Sequence, residues 1–544
     1  MALKKGDCLG IIGESGSGKT SLGLSILGLV DKKGVVKGEI YYNNVALQSL
    51  SEKQLQQYRW KEIAMVFQNT LDVLNPVMDL ESQIEEVLKK HTCLKSSERK
   101  IEILRCFDLV GLDKKWIKAY PHQLSGGMRQ RFLIAMAIIC SPKLLIVDEP
   151  STALDSISKE EILKLLERLQ SQIGFSLIII SHDFQVIQRL SQKVMVTYRG
   201  QIIETGLVKE VLRQPQHPYT QGFINSSLEV NPYGELWGIP EGEVKGGNGS
   251  NKNSAGCLFY DRCYQRKELC ENQRPTLNYS ALERRVACNQ GGVKTLLEGK
   301  KISKTYFTAK EKIRACQDVS IKVRAGEVVS LVGQSGSGKT TLANCLSGFL
   351  TPDEGEVFLQ GNKLNTPPFI NEKNGIQIVF QDPFSATNGK FSITKALAEP
   401  LYILGESDSE KIQEAIYKAL KMVQLPREKD FLNRRCSSLS GGQRQRVAIA
   451  RALIMEPKIL IADEISSMLD PSTKANILRL LKGLQNQKGF SMLYITHDLN
   501  LARKISNLIY VMKDGRVIES GTPFEVIGQS KTDYGKRLFR NLSC

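Results

Sequence analysis

Six short apolar runs punctuate the chain, at residues 8–12, 143–147, 176–180, 328–332, 458–462 and 491–495. Each is of strand length and apolar at nearly every position, the pattern of a strand buried on both faces rather than one with a wet side. Between them apolar residues recur every three or four positions, as on helices with one buried face. Strand and helix alternating in this way predict an α/β fold, a largely parallel sheet covered on both faces. Residues 69–123 and 382–438 break the alternation; they read as mainly helical, and a helical subdomain is expected at each. The longest apolar stretches, such as 132–140, fall well short of the roughly 18 residues needed to span a bilayer, so no transmembrane helix is expected.

The pattern occurs twice. GESGSGKT from Gly13 to Thr20, Gln68, LSGGM from Leu124 to Met128, LLIVDE from Leu144 to Glu149 and His182 make the first set. GQSGSGKT from Gly333 to Thr340, Gln381, LSGGQ from Leu439 to Gln443, ILIADE from Ile459 to Glu464 and His497 repeat it in the same order. The copies lie 320 residues apart at Lys19 and Lys339, 313 at the glutamines, and 315 at Ser125/Ser440, Asp148/Asp463 and His182/His497. Five ordered motifs repeated at nearly constant offset indicate two related domains in tandem, and 544 residues are too many for one core. The domains are expected at 1–230 and 294–544, with a linker and Cys-rich insert at 231–293, where residues 241–256 are rich in Gly, Asn and Ser.

GxxxxGK[ST] between a strand and a helix is a phosphate loop. Its glycines let successive backbone N–H groups turn toward phosphate oxygens, and the helix N-terminus adds a favourable dipole. Gly13, Ser15, Gly16 and Gly18 form one such cradle, and Gly333, Ser335, Gly336 and Gly338 the other. Lys19 and Lys339 are expected on the β and γ phosphates of ATP, and Thr20 and Thr340 on Mg²⁺. Asp148 and Asp463 end apolar strands, where a carboxylate can help hold the hydrated metal, while Glu149 and Glu464 sit next in line to orient or deprotonate water. Gln68 and Gln381 each follow Val-Phe and are candidates for the metal. His182 and His497 are two of only five histidines and stand at equivalent strand ends, which favours a γ-phosphate contact for both.

A formal charge of +17, with lysines and arginines scattered along the chain, describes a solvated surface and is compatible with attraction to an anionic membrane face. The start, MALKKGD, leads straight into a phosphate loop with no apolar signal region, so a cytoplasmic protein is expected. Most of the twelve cysteines are then expected to be small buried hydrophobes or inert thiols.

With this motif order, and LSGG as its most diagnostic piece, the chain resembles the ATP-binding subunits of ABC transporters over nearly all of both halves. The resemblance implies tandem P-loop NTPase domains that dimerise head to tail within the molecule, each ATP lying between the phosphate loop of one and the LSGG of the other. Carried over, Lys19, Gln68, Glu149 and His182 work with Ser440, Gly441 and Gly442, and Lys339, Gln381, Glu464 and His497 with Ser125, Gly126 and Gly127. Asp155 and Asp470 match the family's D-loop aspartate. Three departures stand out: Met128 replaces the glutamine of LSGGQ, Ile465 stands where the first copy has Pro150, and ISSMLD replaces STALD. Activity is expected to survive the first, and the second D-loop to be altered. Tyr306 fits the family's adenine-stacking aromatic in the second half. Lys339 is the 44th residue from Leu296 whereas Lys19 is the 19th of the chain. Either the start lies too far downstream or the first unit lacks its first strands and a counterpart of Tyr306; in the second case weaker nucleotide binding is expected there.

After the first domain come QPQHPYTQGF, from Gln214 to Phe223, and cysteines in a C-x5-C-x6-C-x17-C array at Cys257, Cys263, Cys270 and Cys288. This looks like the C-terminal extension of oligopeptide, dipeptide and nickel importer ATPases. The resemblance implies a four-iron four-sulfur cluster at those cysteines, with zinc as the alternative. It also implies two membrane permease subunits and an extracytoplasmic solute-binding protein as partners, and a place on the cytoplasmic face of the membrane. The expected function is ATP hydrolysis that drives peptide import, with nickel or metal chelates or glutathione as alternative cargo. A soluble tandem-ABC protein acting on ribosomes or nucleic acid is the reading from another class. Such translation factors carry a long charged helical linker, unlike the Gly/Asn/Cys-rich one here, so no nucleic-acid partner is expected.

Overall fold

The computed structural model describes residues 2–31, 34–68, 73–152, 154–227, 239, 255–281, 283–307, 312–364, 375–382, 388–465 and 470–540. Of the linker and insert expected at 231–293, residues 231–238, 240–254 and 282 lie outside these residues, as do 466–469 and Ala153 of the two D-loop segments. The chain divides into two units, Met1–Thr220 with Pro275–Gly291, and Gln221–Arg274 with Gly292–Cys544.

The first unit is built on a sheet of eight strands. Their spatial order is Ile63–Val66, Leu144–Asp148, Ser176–Ile180, Cys8–Gly13, Lys193–Tyr198, Gln201–Leu207, Arg284–Val286 and Asn278–Ala281. The first five run parallel and the last three add antiparallel pairs. Side chains of a strand alternate between faces. Leu9, Ile11, Ile63, Met65, Ile146, Ile178, Ile180 and Met195 thus share one core, while Ile12, Leu145, Val147, Leu177 and Ile179 take the other face and are equally buried. Two-sided burial is why these strands read as continuous apolar runs.

The helices Leu80–His91, Ser96–Val110 and Gly126–Ile138 fill the expected helical region and its end, and the edge-on pair of Phe107 and Phe132, 6.0 Å between ring centres, locks the last two together. In the second unit Ile393–Ile403, Ser409–Met422 and Gly441–Leu453 occupy the same places. The repeated α/β architecture with helical subdomains is the one expected.

The second unit repeats the parallel sheet as Ile376–Val379, Ile459–Asp463, Ser491–Thr496, Val328–Val332 and Leu508–Lys513, with Arg516–Gly521 antiparallel at its edge. The register agrees between units: Asp148 lies opposite Ile180, and Asp463 opposite Ile495. A second, antiparallel sheet contains the thirteen-residue strands Thr295–Phe307 and Lys312–Arg324. Leu297, Ile302, Val319 and Ile321 from it, Leu342 and Leu346 from the helix Lys339–Leu346, and Leu331, Ile461 and Ile495 from the parallel sheet form one core. Among the described residues of the first unit, the antiparallel layer is a two-residue pair, Tyr41–Tyr42 with Val45–Ala46.

Candidate functional site

Each phosphate loop leaves its central strand where two backbones nearly touch. A Cβ on Gly13 would lie 2.2 Å from the Thr197 carbonyl oxygen, and one on Gly333 would lie 2.2 Å from that of Met512, so only glycine fits. Gly18 (φ 88°) and Gly338 (φ 100°) adopt the left-handed conformation that turns the loop into the helices Lys19–Ile26 and Lys339–Leu346, leaving the first amides of each helix directed at the loop. Lys19 Nζ donates to the carbonyls of Gly13 and Glu14, both at 2.9 Å. Lys339 Nζ donates to Gly333 at 2.9 Å and Gln334 at 2.8 Å. Each ammonium thus spends two protons on its own loop and has a third to offer. Burial holds both lysines below the ordinary lysine range, opposed in each case by the neighbouring carboxylates.

Asp148 and Asp463 close the adjacent strands and are almost wholly buried. Neither oxygen of Asp148 has a hydrogen-bond partner among the described residues, and Oδ1 of Asp463 is likewise without one. Burial pushes both carboxyls above the usual carboxylate range, with Thr20 and Thr340 respectively pulling the other way. A buried carboxylate oxygen lacking a donor is costly unless a cation completes it. Carboxylate and hydroxyl oxygens side by side are the hard ligands Mg²⁺ takes. The residues present therefore fit a nucleotide-bound Mg²⁺.

Glu149 and Glu464 follow, with φ of 51° and 43°. A non-glycine residue in this region carries strain of order 1–3 kcal/mol. It is held in place here by backbone: the Glu149 N–H donates to Ile180 at 2.8 Å, and that of Glu464 to Ile495 at 3.0 Å. His182 Nδ1 lies 2.9 Å from Glu149 Oε1, and His497 Nδ1 lies 3.3 Å from Glu464 Oε2. Thr152 donates to Glu149 Oε2 at 3.2 Å, and Gln381 Nε2 to Glu464 Oε2 at 3.2 Å. Gln68 is exposed just after the strand Ile63–Val66.

The LSGG serines are helix caps. Ser125 Oγ accepts the Met128 N–H and Ser440 Oγ that of Gln443, both at 3.3 Å. Gln443 Oε1 accepts the Ser440 N–H in return, at 3.2 Å, closing a reciprocal box. Met128 carries only a weakly accepting thioether in place of that amide oxygen. Gly126 and Gly127, like Gly441 and Gly442, form the first turn. Asp155 and Asp470 cap the helices that follow, each accepting two backbone N–H groups at 3.0 to 3.1 Å. Sequence reasoning passed over two repeated ion pairs, Lys159 with Asp183 and Lys474 with Asp498 (2.7 Å in the second), which tie those same helices to the residue after each histidine. The offset of 315 was the signal that could have found them.

The ABC transporter family matches residues 1–152 and 316–467, and the oligopeptide/dipeptide transporter C-terminal region matches residues 203–270. The Glutathione import ATP-binding protein GsiA of Salmonella choleraesuis is 32% identical over 99% of this chain and 85% of its own length. The same-named protein of Escherichia coli K12 is 33% identical, again over 99% and 85%. The ABC transporter ATP-binding protein YejF of Escherichia coli K12 is 33% identical over 99% of this chain and 94% of its own length. This chain belongs to the ABC transporter ATP-binding proteins. It is an ATPase of the transport-coupled kind.

In this ABC protein Tyr306 lies near the end of the strand Thr295–Phe307, 40% exposed. No helix among the described residues is long and apolar enough to cross a membrane. Cys8, Cys106, Cys316, Cys345 and Cys436 are buried, and burial pushes their thiols upward. The metal expected at Cys257, Cys263, Cys270 and Cys288 is not supported: among the described residues no group of three or more His, Cys, Asp or Glu is gathered to hold an ion. The first three cysteines belong to the second unit and Cys288 to the first. Backbone closes the Cys257–Cys270 segment instead, the Cys257 N–H donating to the Cys270 carbonyl at 2.8 Å.

Proposed function

We propose that this ABC protein is the ATP-hydrolysing subunit of an importer that carries peptides across the cytoplasmic membrane. The observation that carries the reading is the oligopeptide/dipeptide region joined in one chain to two phosphate-binding sites built alike. The names of its relatives favour a second reading of the cargo, glutathione, which is itself a tripeptide. In either case the protein works peripherally on the cytoplasmic face, with two permease subunits and an extracytoplasmic solute-binding protein that choose the substrate.

The amides around Ser15, Gly16 and Gly18, and around Ser335, Gly336 and Gly338, wrap the phosphates, and Lys19 and Lys339 donate their third N–H as a hydrogen bond to the β- and γ-phosphates. Thr20 and Asp148, with Gln68, and Thr340 and Asp463, with Gln381, would hold Mg²⁺, which when bound offsets phosphate charge and supplies the buried aspartate with its missing partner. Glu149 or Glu464 orients a water and takes its proton as the oxygen bonds to the γ-phosphorus. The bond from that phosphorus to the bridging oxygen breaks, and ADP and phosphate leave. His182 and His497 hold the glutamates and face the γ-phosphate. Ser440 and Gly442 complete the site of Lys19, and Ser125 and Gly127 that of Lys339, in a head-to-tail pairing whose closing and opening would be passed to the permeases. Tyr306 stacks on adenine in the second site.

Gentle extraction of membranes from cells carrying a tagged chain tests this. Two multi-span permeases and a solute-binding protein should co-purify, and ATP turnover of the assembly should rise when that binding protein is loaded with oligopeptide or with glutathione, which separates the two cargoes. Ribosomal proteins or nucleic acid in place of permeases would overturn the importer reading.

A further inference from the structure

A second set of residues repeats at the offset of 315 and reaches each phosphate loop from the other end of its unit. Tyr219, on the helix Pro218–Asn225, accepts at its hydroxyl the backbone N–H of Glu14 at 2.9 Å. Tyr534, on the helix Asp533–Phe539, accepts the N–H of Gln334 at 3.3 Å. The amides concerned belong to the peptide groups Gly13–Glu14 and Gly333–Gln334, whose carbonyls are the ones that receive Lys19 and Lys339. A peptide group is planar and rigid. The tyrosine therefore holds one end of the plane whose other end holds the phosphate-binding lysine.

Each tyrosine is itself held by a glutamate in the preceding strand. Glu204, fully buried, accepts the N–H groups of Gln216 at 2.9 Å and His217 at 2.8 Å, and Arg284 at 2.7 Å. His217 Nδ1 then accepts the Tyr219 N–H at 3.0 Å, and the Tyr219 ring packs against Tyr198 at 4.6 Å, next to Thr197, whose hydroxyl is 3.0 Å from Ser17 of the loop. In the second unit Glu519 accepts the Lys531 N–H at 2.9 Å, Ser530 at 2.8 Å and Thr532 at 2.9 Å, and Thr532 caps the helix of Tyr534. The side chains differ, yet the connection from strand to glutamate to tyrosine to loop is the same. The second loop is braced less: Met512 stands in place of Thr197, and Ser337 Oγ is buried with no partner among the described residues.

We propose that Tyr219 and Tyr534 are positioning residues for phosphate binding, through which the segment at the end of each unit sets the affinity of that unit's own loop. The proposal rests on the reading of the loops as ATP sites. Its test uses the full chain, with fluorescent trinitrophenyl-ATP, -ADP and -AMP as probes. In a Lys339→Ala background, so that the first loop reports, Tyr219→Phe keeps the ring and removes the hydroxyl. Affinity for the di- and triphosphate should fall about three- to tenfold, the worth of one hydrogen bond, while AMP binding and the melting midpoint stay unchanged. Tyr534→Phe in a Lys19→Ala background should do the same more weakly, in line with its longer contact.

Unchanged ATP affinity, or an equal loss for AMP, overturns the proposal. Should Tyr219→Phe lower the melting midpoint, hydrogen exchange on the wild-type chain decides: a Glu14 amide slow to exchange supports the tether, and one exchanging like an open loop overturns it. ATP binding that persists in a Lys19→Ala/Lys339→Ala chain would instead remove the ATP-site reading beneath it.

Discussion

His182 and Glu149 meet twice: Glu149 Oε1 accepts the His182 backbone N–H at 3.1 Å and lies 2.9 Å from its Nδ1. The strained glutamate and the histidine come from the ends of neighbouring strands, so the pair exists only when the sheet is in register. His497 and Glu464 repeat the side-chain contact at 3.3 Å. Glu149→Gln keeps the size of the side chain and removes its basicity. Single-site phosphate release should fall about a hundredfold or more, the usual worth of a general base, with nucleotide affinity nearly unchanged. Equal turnover in Glu149→Gln/Glu464→Gln and wild type, measured by phosphate release, would exclude the role.

Arg284 and Glu204 form an almost solvent-free ion pair, 5% and 0% exposed, 2.7 Å apart. Removing one partner strands the other charge, at a cost of about 3–5 kcal/mol. Arg284→Ala should therefore shift the denaturant midpoint of the first unit's unfolding far down, whereas substitution of an exposed pair such as Lys114 with Asp108 should barely move it.

His217 is buried and neutral, its imidazole pushed down to about 3 chiefly by burial. An unfolded histidine titrates near 6.5. Above that pH both states are neutral and the group contributes no pH dependence. Below it the unfolded chain takes up a proton that the folded chain refuses, so stability falls as pH drops from about 6.5 toward 3, by about 1.4 kcal/mol per unit. Stability curves at pH 7 and pH 5 should show this slope in wild type and lose it in His217→Asn. An identical slope in both would refute the assignment.

Met128 sits where Gln443 closes the cap of the matching helix in the second unit. Met128→Gln should add the reciprocal bond to the Ser125 N–H and stabilise the helix Gly126–Ile138 by about 0.5–1 kcal/mol. Gln443→Met should cost a similar amount. Thermal midpoints of the two variants moving in the same direction would contradict the capping argument.

Much of the site was legible because its chemistry is local. A phosphate loop needs its glycines, lysine and threonine within eight consecutive residues, and an aspartate and glutamate at a strand end are adjacent in sequence. The strands at 176–180 and 328–332 were legible to the residue because burial on both faces leaves an uninterrupted apolar run. The tyrosine and glutamate behind each loop, and the arginine behind the first, were not. Glu14 and Tyr219 are 205 residues apart, and a tyrosine in HPYT carries no mark of what its hydroxyl will meet.

The sequence by itself determined two α/β domains, the order of their motifs and the family to which they belong, since these rest on residue type, on uninterrupted apolar runs and on the helical period of 3.6. Tertiary structure decided the rest. It set which glutamate oxygen a histidine holds, left Asp148 buried and without a donor among the described residues, and paired Glu204 with Arg284. Each of these depends on strand order and register, which bring distant residues together by packing and hydrogen bonding, and no local pattern encodes the distance between them.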